Sequence, residues 1–247
     1  MAGTKRMSRA REVEEALQKQ LDDLPDAIGR LPSETEIAGL FDVSRVTVRQ
    51  ALSSLERKGL IIRKHGLGTF VNRGALEIQT RLDESIEFGE LIRRSGHRSD
   101  LSLVRVQRGP TSPAIAERLQ IDPQADTLTI YKIFTADQIP VIYCVNVIPL
   151  HIAPPGQLPA LLEQIDPAVP VYTLLSRWFG HSVAYQIADI EPRKADKEMA
   201  QLLACTLGHS LLYIEEVGFN LEQQPVFYAE EYYLPGIIRF RLVRKPA

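Results

Sequence analysis

Cysteine is nearly absent: the 247 residues contain two, Cys144 and Cys205. Two thiols are too few for a disulfide scaffold or a cysteine-based zinc site, and they fit a reducing compartment. Long apolar runs are also missing. No stretch approaches the roughly 18 unbroken apolar residues of a membrane span, which excludes a helical membrane protein. The basic start, Met1 to Arg11, runs into Glu12, Glu14 and Glu15 instead of an apolar signal core, so the expected location is the cytoplasm. No Ser-His-Asp or metal-ligand spacing occurs; His97, His151, His181 and His209 are scattered. No catalytic residues, metal or cofactor are expected. An excess of one charge sign is lacking too, the net charge being −2. What remains is an ordinary globular composition, 45% hydrophobic and 24% charged. At about 100–200 residues per domain, the length suggests two domains.

The small net charge hides an asymmetry. Residues 1–74 hold 4 Lys and 9 Arg against 10 acids, a balance of +3, while residues 75–247 hold 16 basic against 21 acidic side chains, a balance of −5. In the basic part, Val13, Ala16, Leu17, Leu21 and Leu24 form one apolar stripe, which predicts a first helix from about Arg9 to Asp22. Ser33 stands three residues before Glu36, the capping-box spacing, and Ile37, Leu40 and Phe41 are expected to face inward from a second helix. After the polar Asp42-Val43-Ser44 turn, Ser44 can cap a third helix from about Arg45 to Arg57, stopped by Gly59. At about 100° per residue, Val48, Ala51, Leu52 and Leu55 share one arc of that helix. Arg45, Val46, Arg49, Gln50 and Ser53 occupy the other. Leu60 to Lys64 and Thr69 to Val71 then read as two strands around the turn His65-Gly66-Leu67-Gly68. Three helices and a hairpin make a winged helix-turn-helix, whose third helix fits the roughly 12 Å major groove of DNA.

Four segments carry a specific resemblance: Leu31-Pro32-Ser33-Glu34, Val43 to Leu52, Leu55 to Leu60, and Gly66 to Val71. In this order and at this spacing they resemble the DNA-binding domain of the GntR family of bacterial transcription regulators. The resemblance implies that Ser44, Arg45, Thr47 and Arg49 contact operator bases and phosphates, and that His65 and Gly66 on the wing approach the minor groove. Thr35 stands where the family usually has Arg, so one DNA contact is missing and the operator sequence stays open.

The acidic remainder repeats itself. Ile115-Ala116 and Leu119 correspond to Met199-Ala200 and Leu203 at an offset of 84, and Pro140-Val141-Ile142-Tyr143 to Pro225-Val226-Phe227-Tyr228 at an offset of 85. Strands are read over Leu101–Val106, Thr127–Thr135, Val141–Ile148 and Ser182–Glu191, with helices at Pro113–Leu119 and around Leu174–Phe179. Two copies of helix plus hairpin predict an α+β domain with a mainly antiparallel sheet covered by helices.

Ala136-Asp137 with Pro140 and Pro149, Phe179-Gly180, Ile190-Glu191-Pro192, Ala195-Asp196, Ala200, Leu203, Tyr232-Tyr233 and Phe240 together resemble the UTRA domain, the effector module of the HutC branch of GntR regulators. That resemblance implies a chorismate lyase-like fold. It divides the chain into a winged helix over residues 1–73, a linker over 74–81, and an effector-binding and dimerisation domain over 82–247. Ser85, Phe88, Lys132, Phe134, Tyr143, Cys144, Tyr228, Glu230 and Tyr232 are the effector-binding candidates. Strand alternation puts Lys132 with Phe134, and Tyr228 with Glu230 and Tyr232. Sugar-phosphate responders of the family carry an Arg-x-Arg pair before the hairpin turn, because phosphate needs charge-assisted donors. Lys132-Ile133-Phe134 stands there instead. The expected effector is therefore less polar than a sugar phosphate, such as an organic acid or aromatic compound with one anionic group for Lys132.

The function expected is a cytoplasmic repressor, a homodimer on a palindromic double-stranded operator, whose DNA affinity a small effector alters. The alternative is an enzyme, or an inactive relative of a lyase, using the chorismate lyase-like domain. A purely architectural DNA-binding protein would leave the acidic domain without a role.

Overall fold

The computed structural model describes residues 8–21 and 29–244. It divides into two compact units: the chain up to Glu84 joined by the segment from Phe240, and the stretch Ser85–Arg239.

The first unit opens with α1 (Arg9–Gln20), capped by Ser8 and burying Val13 and Leu17; Leu21, just beyond, is buried too. Leu24 and the expected helix end at Asp22 lie outside the described residues. In α2 (Glu34–Phe41) the capping box forms: the Glu36 amide donates to Ser33 Oγ at 3.3 Å and the Ser33 amide to Glu36 Oε2 at 2.7 Å. Ile37 is buried, but Leu40 is 73% exposed and does not face inward. The buried arc of this short helix is centred between Ile37, Ala38 and Phe41, and Leu40 lies about 100° from that centre. α3 (Arg45–Arg57) buries Val48, Ala51, Leu52 and Leu55 against α1 and α2. Gly59, at φ +73°, ends it, and a Cβ there would sit 2.8 Å from Val243 Cγ1.

The wing is β1 (Ile61–Lys64) paired with β2 (Gly68–Val71), Ile61 opposite Val71 and Lys64 opposite Gly68. Arg30 adds an antiparallel bridge to Phe70. The expected linker is not an open tether. It contains α4 (Arg73–Leu76), which buries Ala75 in the first core. Thr80 and Arg81 are buried. The Arg241 amide donates to Thr80 O at 3.0 Å and the Leu82 amide to Arg241 O at 2.9 Å. The tail supplies backbone partners and the Val243 side chain, so residues 82–84 and the tail group with the first unit and not with the effector domain expected from the sequence.

The second unit runs α5 (Phe88–Arg94), β3 (Ser99–Gly109), α6 (Pro113–Arg118), β4 (Thr127–Ala136), β5 (Ile139–Pro149), α7 (Leu158–Gln164), α8 (Val171–Leu174), β6 (Tyr185–Lys194), α9 (Lys197–Leu202), β7 (Ser210–Phe219) and β8 (Pro225–Tyr233). A π-helical turn over Leu175–Phe179 extends α8. The six strands of this unit form one antiparallel sheet in the order β3-β4-β5-β8-β7-β6. The duplication is visible in that order: β3-α6-β4-β5 and β6-α9-β7-β8 are mirrored about the β5–β8 seam.

Alternation gives the sheet two faces. One carries Leu128, Ile130, Ile148, Phe227 and Ala229 against Leu161 of α7, Leu174 of α8 and Phe179. The other carries Ile133, Tyr143, Val147, Val217 and Tyr228 against Met199 of α9, Leu203 just after it and Leu119 just after α6. Only glycine fits at position 218, since a Cβ there would lie 2.0 Å from the buried Phe227 ring opposite.

Candidate DNA-reading surface and effector site

The third helix is two-sided because its apolar residues recur every three or four positions. With Val48, Ala51, Leu52 and Leu55 buried, Arg45, Val46 and Arg49 stand exposed on the opposite side. Ser44 caps the helix, accepting from the Thr47 amide at 3.1 Å, and its hydroxyl also lies 2.9 Å from Thr47 Oγ1. These two hydroxyls are therefore partly committed to holding the helix start. His65 and Gly66 sit exposed on the wing turn, closed by the Leu67 amide donating to Lys64 O at 3.0 Å. Gly66 adopts φ +73° with nothing within 4 Å of a Cβ position.

Two contacts here escape sequence reasoning because they join distant segments. Arg63 on β1 donates to Ser53 Oγ at 3.3 Å and pairs with Glu56 at 3.3 Å, fastening the wing to α3. Glu34, at the start of α2, takes the Arg49 Nε at 2.7 Å and lies 3.8 Å from Arg45. Each pair is half exposed and contributes about 0–1 kcal/mol, small enough for a DNA phosphate to displace. Glu34→Gln is accordingly expected to tighten DNA binding by about 2- to 5-fold, measured by anisotropy at fixed salt. A loss of affinity would show instead that Glu34 holds the arginines in their binding posture.

The effector candidates separate onto the two faces of the sheet. Lys132, Phe134 and Cys144 point toward α5, α7 and α8, and Phe88 of α5 packs on Phe134 with ring centroids 5.0 Å apart. Tyr143, Tyr228, Glu230 and Tyr232 point toward α6 and α9. Neighbours in a strand cannot share a face, so Tyr143 and Cys144 never belong to one site.

On the α6/α9 face, Tyr131, Tyr143, Glu230, Tyr232, Arg193 and Met199 line a groove of about 440 Å³. Several of its polar groups pair with one another. Arg193 lies 3.4 Å over the Tyr213 ring and donates to the Tyr232 hydroxyl at 3.4 Å, while Tyr228 donates to Glu230 at 3.0 Å. Tyr143 and Tyr228 are buried core side chains.

The α5/α7/α8 face is different, because it buries charge. Lys132 is 2% exposed and donates to the Val169 carbonyl at 2.5 Å. Burial lowers its pKa, opposed by Cys144, Asp166 and Glu87. Across the β5–β8 seam Glu216 is 9% and Glu231 7% exposed. The two carboxyls are hydrogen-bonded to each other. Burial pushes both up, Glu216 to about 7, so they share a proton near neutrality. Tyr233 donates to Glu231, Gln186 donates to Glu216 and to the Tyr172 hydroxyl at 2.7 Å each, and Ser85 donates to Gln186. Cys144 lies between, its thiol held up by burial and by Glu231, 3.3 Å from Asn146 Oδ1.

Ser85 thus joins the cluster, but Glu216, Glu231, Gln186, Tyr172 and Asn146 are absent from the sequence candidates. A signal for them existed. The 84-residue offset carries Lys132 onto Glu216, and the 85-residue offset carries Asn146 onto Glu231. The expectation of a weakly polar pocket overlooked these carboxyls. Among the described residues, no group of three or more His, Cys, Asp or Glu side chains is placed to hold a metal ion, and no helix is long and apolar enough to cross a membrane.

Comparison with known proteins agrees with this arrangement. Residues 9–71 match the family of bacterial regulatory proteins, gntR family, and residues 94–236 match the UTRA domain. The chain is 25% identical over 217 residues to the probable fructoselysine utilization operon transcriptional repressor of Escherichia coli, covering 86% of each chain. It is 29% identical over 189 residues to the transcriptional repressor NagR of Bacillus subtilis, covering 76% of this chain and 74% of that one. In fold it resembles the possible transcriptional regulator YydK of Bacillus subtilis, with a TM-score of 0.73 at 17% identity, over 97% of this chain and 100% of that one. With a gntR-type winged helix in front and the UTRA match spanning more than half its length, the chain belongs to the GntR family of bacterial regulatory proteins, as a transcription regulator with a UTRA domain and not as an enzyme.

Proposed function

We propose that the protein is a cytoplasmic, ligand-responsive repressor that grips a palindromic operator as a homodimer and changes its grip when a small metabolite binds the second unit. The observation that carries the DNA half is α3, buried on one side and presenting Arg45 and Arg49 on the other. Two such helices related by a twofold match half-sites about one helical turn apart. Two similar proteins are named as repressors, which supports repression over activation.

The effector site is the α5/α7/α8 face, with Ser85, Phe88, Lys132, Phe134 and Cys144 from the sequence candidates. The face keeps buried ionisable groups, Lys132, Glu216 and Glu231, that packing alone does not require. One lysine offers fewer donors to a phosphate than an Arg-x-Arg pair, so the effector is not a sugar phosphate. For ligand to alter DNA affinity it must bind the two arrangements of the DNA-binding units unequally. A mobility-shift assay on DNA upstream of the protein's own gene tests the reading. The expected result is a site-specific, salt-sensitive complex of two chains per duplex; a single chain per site, or no such complex, would overturn it.

A further inference from the structure

We propose that the effector is bipolar: an anionic group at one end for Lys132, a protonated amine at the other for Glu216 and Glu231, and a chain of several atoms between them. This rests on the reading that the α5/α7/α8 face holds the effector.

Among the described residues, neither Lys132 nor the two carboxyls has an oppositely charged side chain within 4.0 Å. Each is more than nine-tenths buried. Burying an ion without a counter-ion is costly, and folded chains ordinarily pair or neutralise it. The carboxyls do so by sharing a proton, and Lys132 by one bond to a backbone carbonyl, which leaves two of its three donors for something else.

The spacing is set by the sheet. Lys132 lies opposite Cys144, Cys144 opposite Glu231, and Glu216 one strand further on β7. Two strand separations place the backbones of Lys132 and Glu231 about 10 Å apart, and three, with Glu216 two residues along β7 from the Ile214 that faces Glu231, place Lys132 and Glu216 about 16 Å apart. The ammonium and carboxylate of an α-amino acid, both attached to one carbon, cannot reach both ends. Cys144, which lies between Lys132 and Glu231 in the register, is neutral, and Phe88 and Phe134 pack on one another beside Lys132 as apolar neighbours for a methylene chain. A dianion would meet the carboxyls and a dication would meet Lys132, so the charge pattern itself rejects both. The ionisable groups facing the ligand are Lys132, Cys144, Tyr172, Glu216, Glu231 and Tyr233, with Glu87 and Asp166 acting on Lys132 from further away.

Calorimetric titration of the full chain tests this with γ-aminobutyrate, δ-aminovalerate and ε-aminocaproate as probes and valerate and pentylamine as one-charge controls. At least one ω-amino acid is expected to bind about tenfold or more tightly than either control. Its binding should release protons, seen as a dependence of the heat on the buffer, because an ammonium beside the carboxyls displaces the shared proton. Lys132→Met should remove the advantage over pentylamine, and the double change Glu216→Gln with Glu231→Gln the advantage over valerate. Lys132→Arg, which keeps the charge, should retain the preference, and circular dichroism identifies any variant that fails to fold. Controls that match the ω-amino acids, or no binding by any probe, would overturn the proposal. Glucose 6-phosphate binding that depends on Lys132 would overturn it while leaving the effector face in place. ω-Amino acid binding unaffected by all three changes would overturn both.

Discussion

Replacing Arg45 and Arg49 together by alanine is expected to weaken operator binding on the order of 10²- to 10⁴-fold, at about 1–3 kcal/mol for each arginine contact. Both side chains are exposed and their partner on the protein is Glu34, so thermal stability should change by less than about 0.5 kcal/mol. Binding and folding are thereby separated in one variant. Arginine-to-lysine changes then sort the contacts. Lysine keeps the charge but loses the bidentate fork, so a phosphate contact survives the change while a guanine contact loses discrimination at one base pair. The salt dependence should shallow by about one unit of slope per lost phosphate contact. An Arg45→Ala, Arg49→Ala protein that binds the operator normally would remove α3 from the reading surface.

A second large effect is expected in the second unit, where stability should fall as pH rises from about 5 to about 8. The sign follows from the direction of the shifts. Glu216 and Glu231 hold protons in the folded protein at pH values where the unfolded chain has lost them. Stability therefore declines wherever the folded state binds more protons, beginning above the ordinary carboxylate range and continuing through the folded values. With Glu216 raised from 4.5 to about 7, its contribution is on the order of 3 kcal/mol. Lys132, lowered by burial, acts with the opposite sign wherever it titrates. Trp178, the one tryptophan, packs in the second core, so its fluorescence in urea melts reports this unit. Glu231→Gln mimics the protonated carboxyl and should flatten the profile, raising stability at the alkaline end. A profile that climbs with pH, or one that Glu231→Gln leaves unchanged, would contradict a shared buried proton.

The contrast between the units shows what a sequence can carry. The capping box at Ser33 and Glu36, the two-sided α3 and the glycine turn of the wing depend on residues within a few positions of one another, and all were legible. Leu40 was misplaced because an eight-residue helix has so few turns that one apolar residue can sit off its buried arc. The tail was invisible for a different reason: the bonds of Arg241 to the Thr80–Leu82 backbone join residues about 160 positions apart and leave no local pattern. The same holds for the effector face. Lys132 and Phe134 could be put on one face by strand alternation, but Glu216 and Glu231 look like ordinary polar positions except through the repeat, whose offsets carry Lys132 onto Glu216 and Asn146 onto Glu231. Alternation also separates Tyr143 from Cys144, which a list of attractive side chains does not.

Coupling between the two units is read from operator affinity, measured by fluorescence anisotropy with and without a saturating compound known to bind the second unit. Native protein and Lys132→Met are compared at one salt concentration. Ligand is expected to change the native protein's affinity by about 5- to 150-fold, and Lys132→Met to bind the operator equally well but no longer respond. A native affinity untouched by bound ligand, or a Lys132→Met protein that responds like the native one, would contradict this coupling.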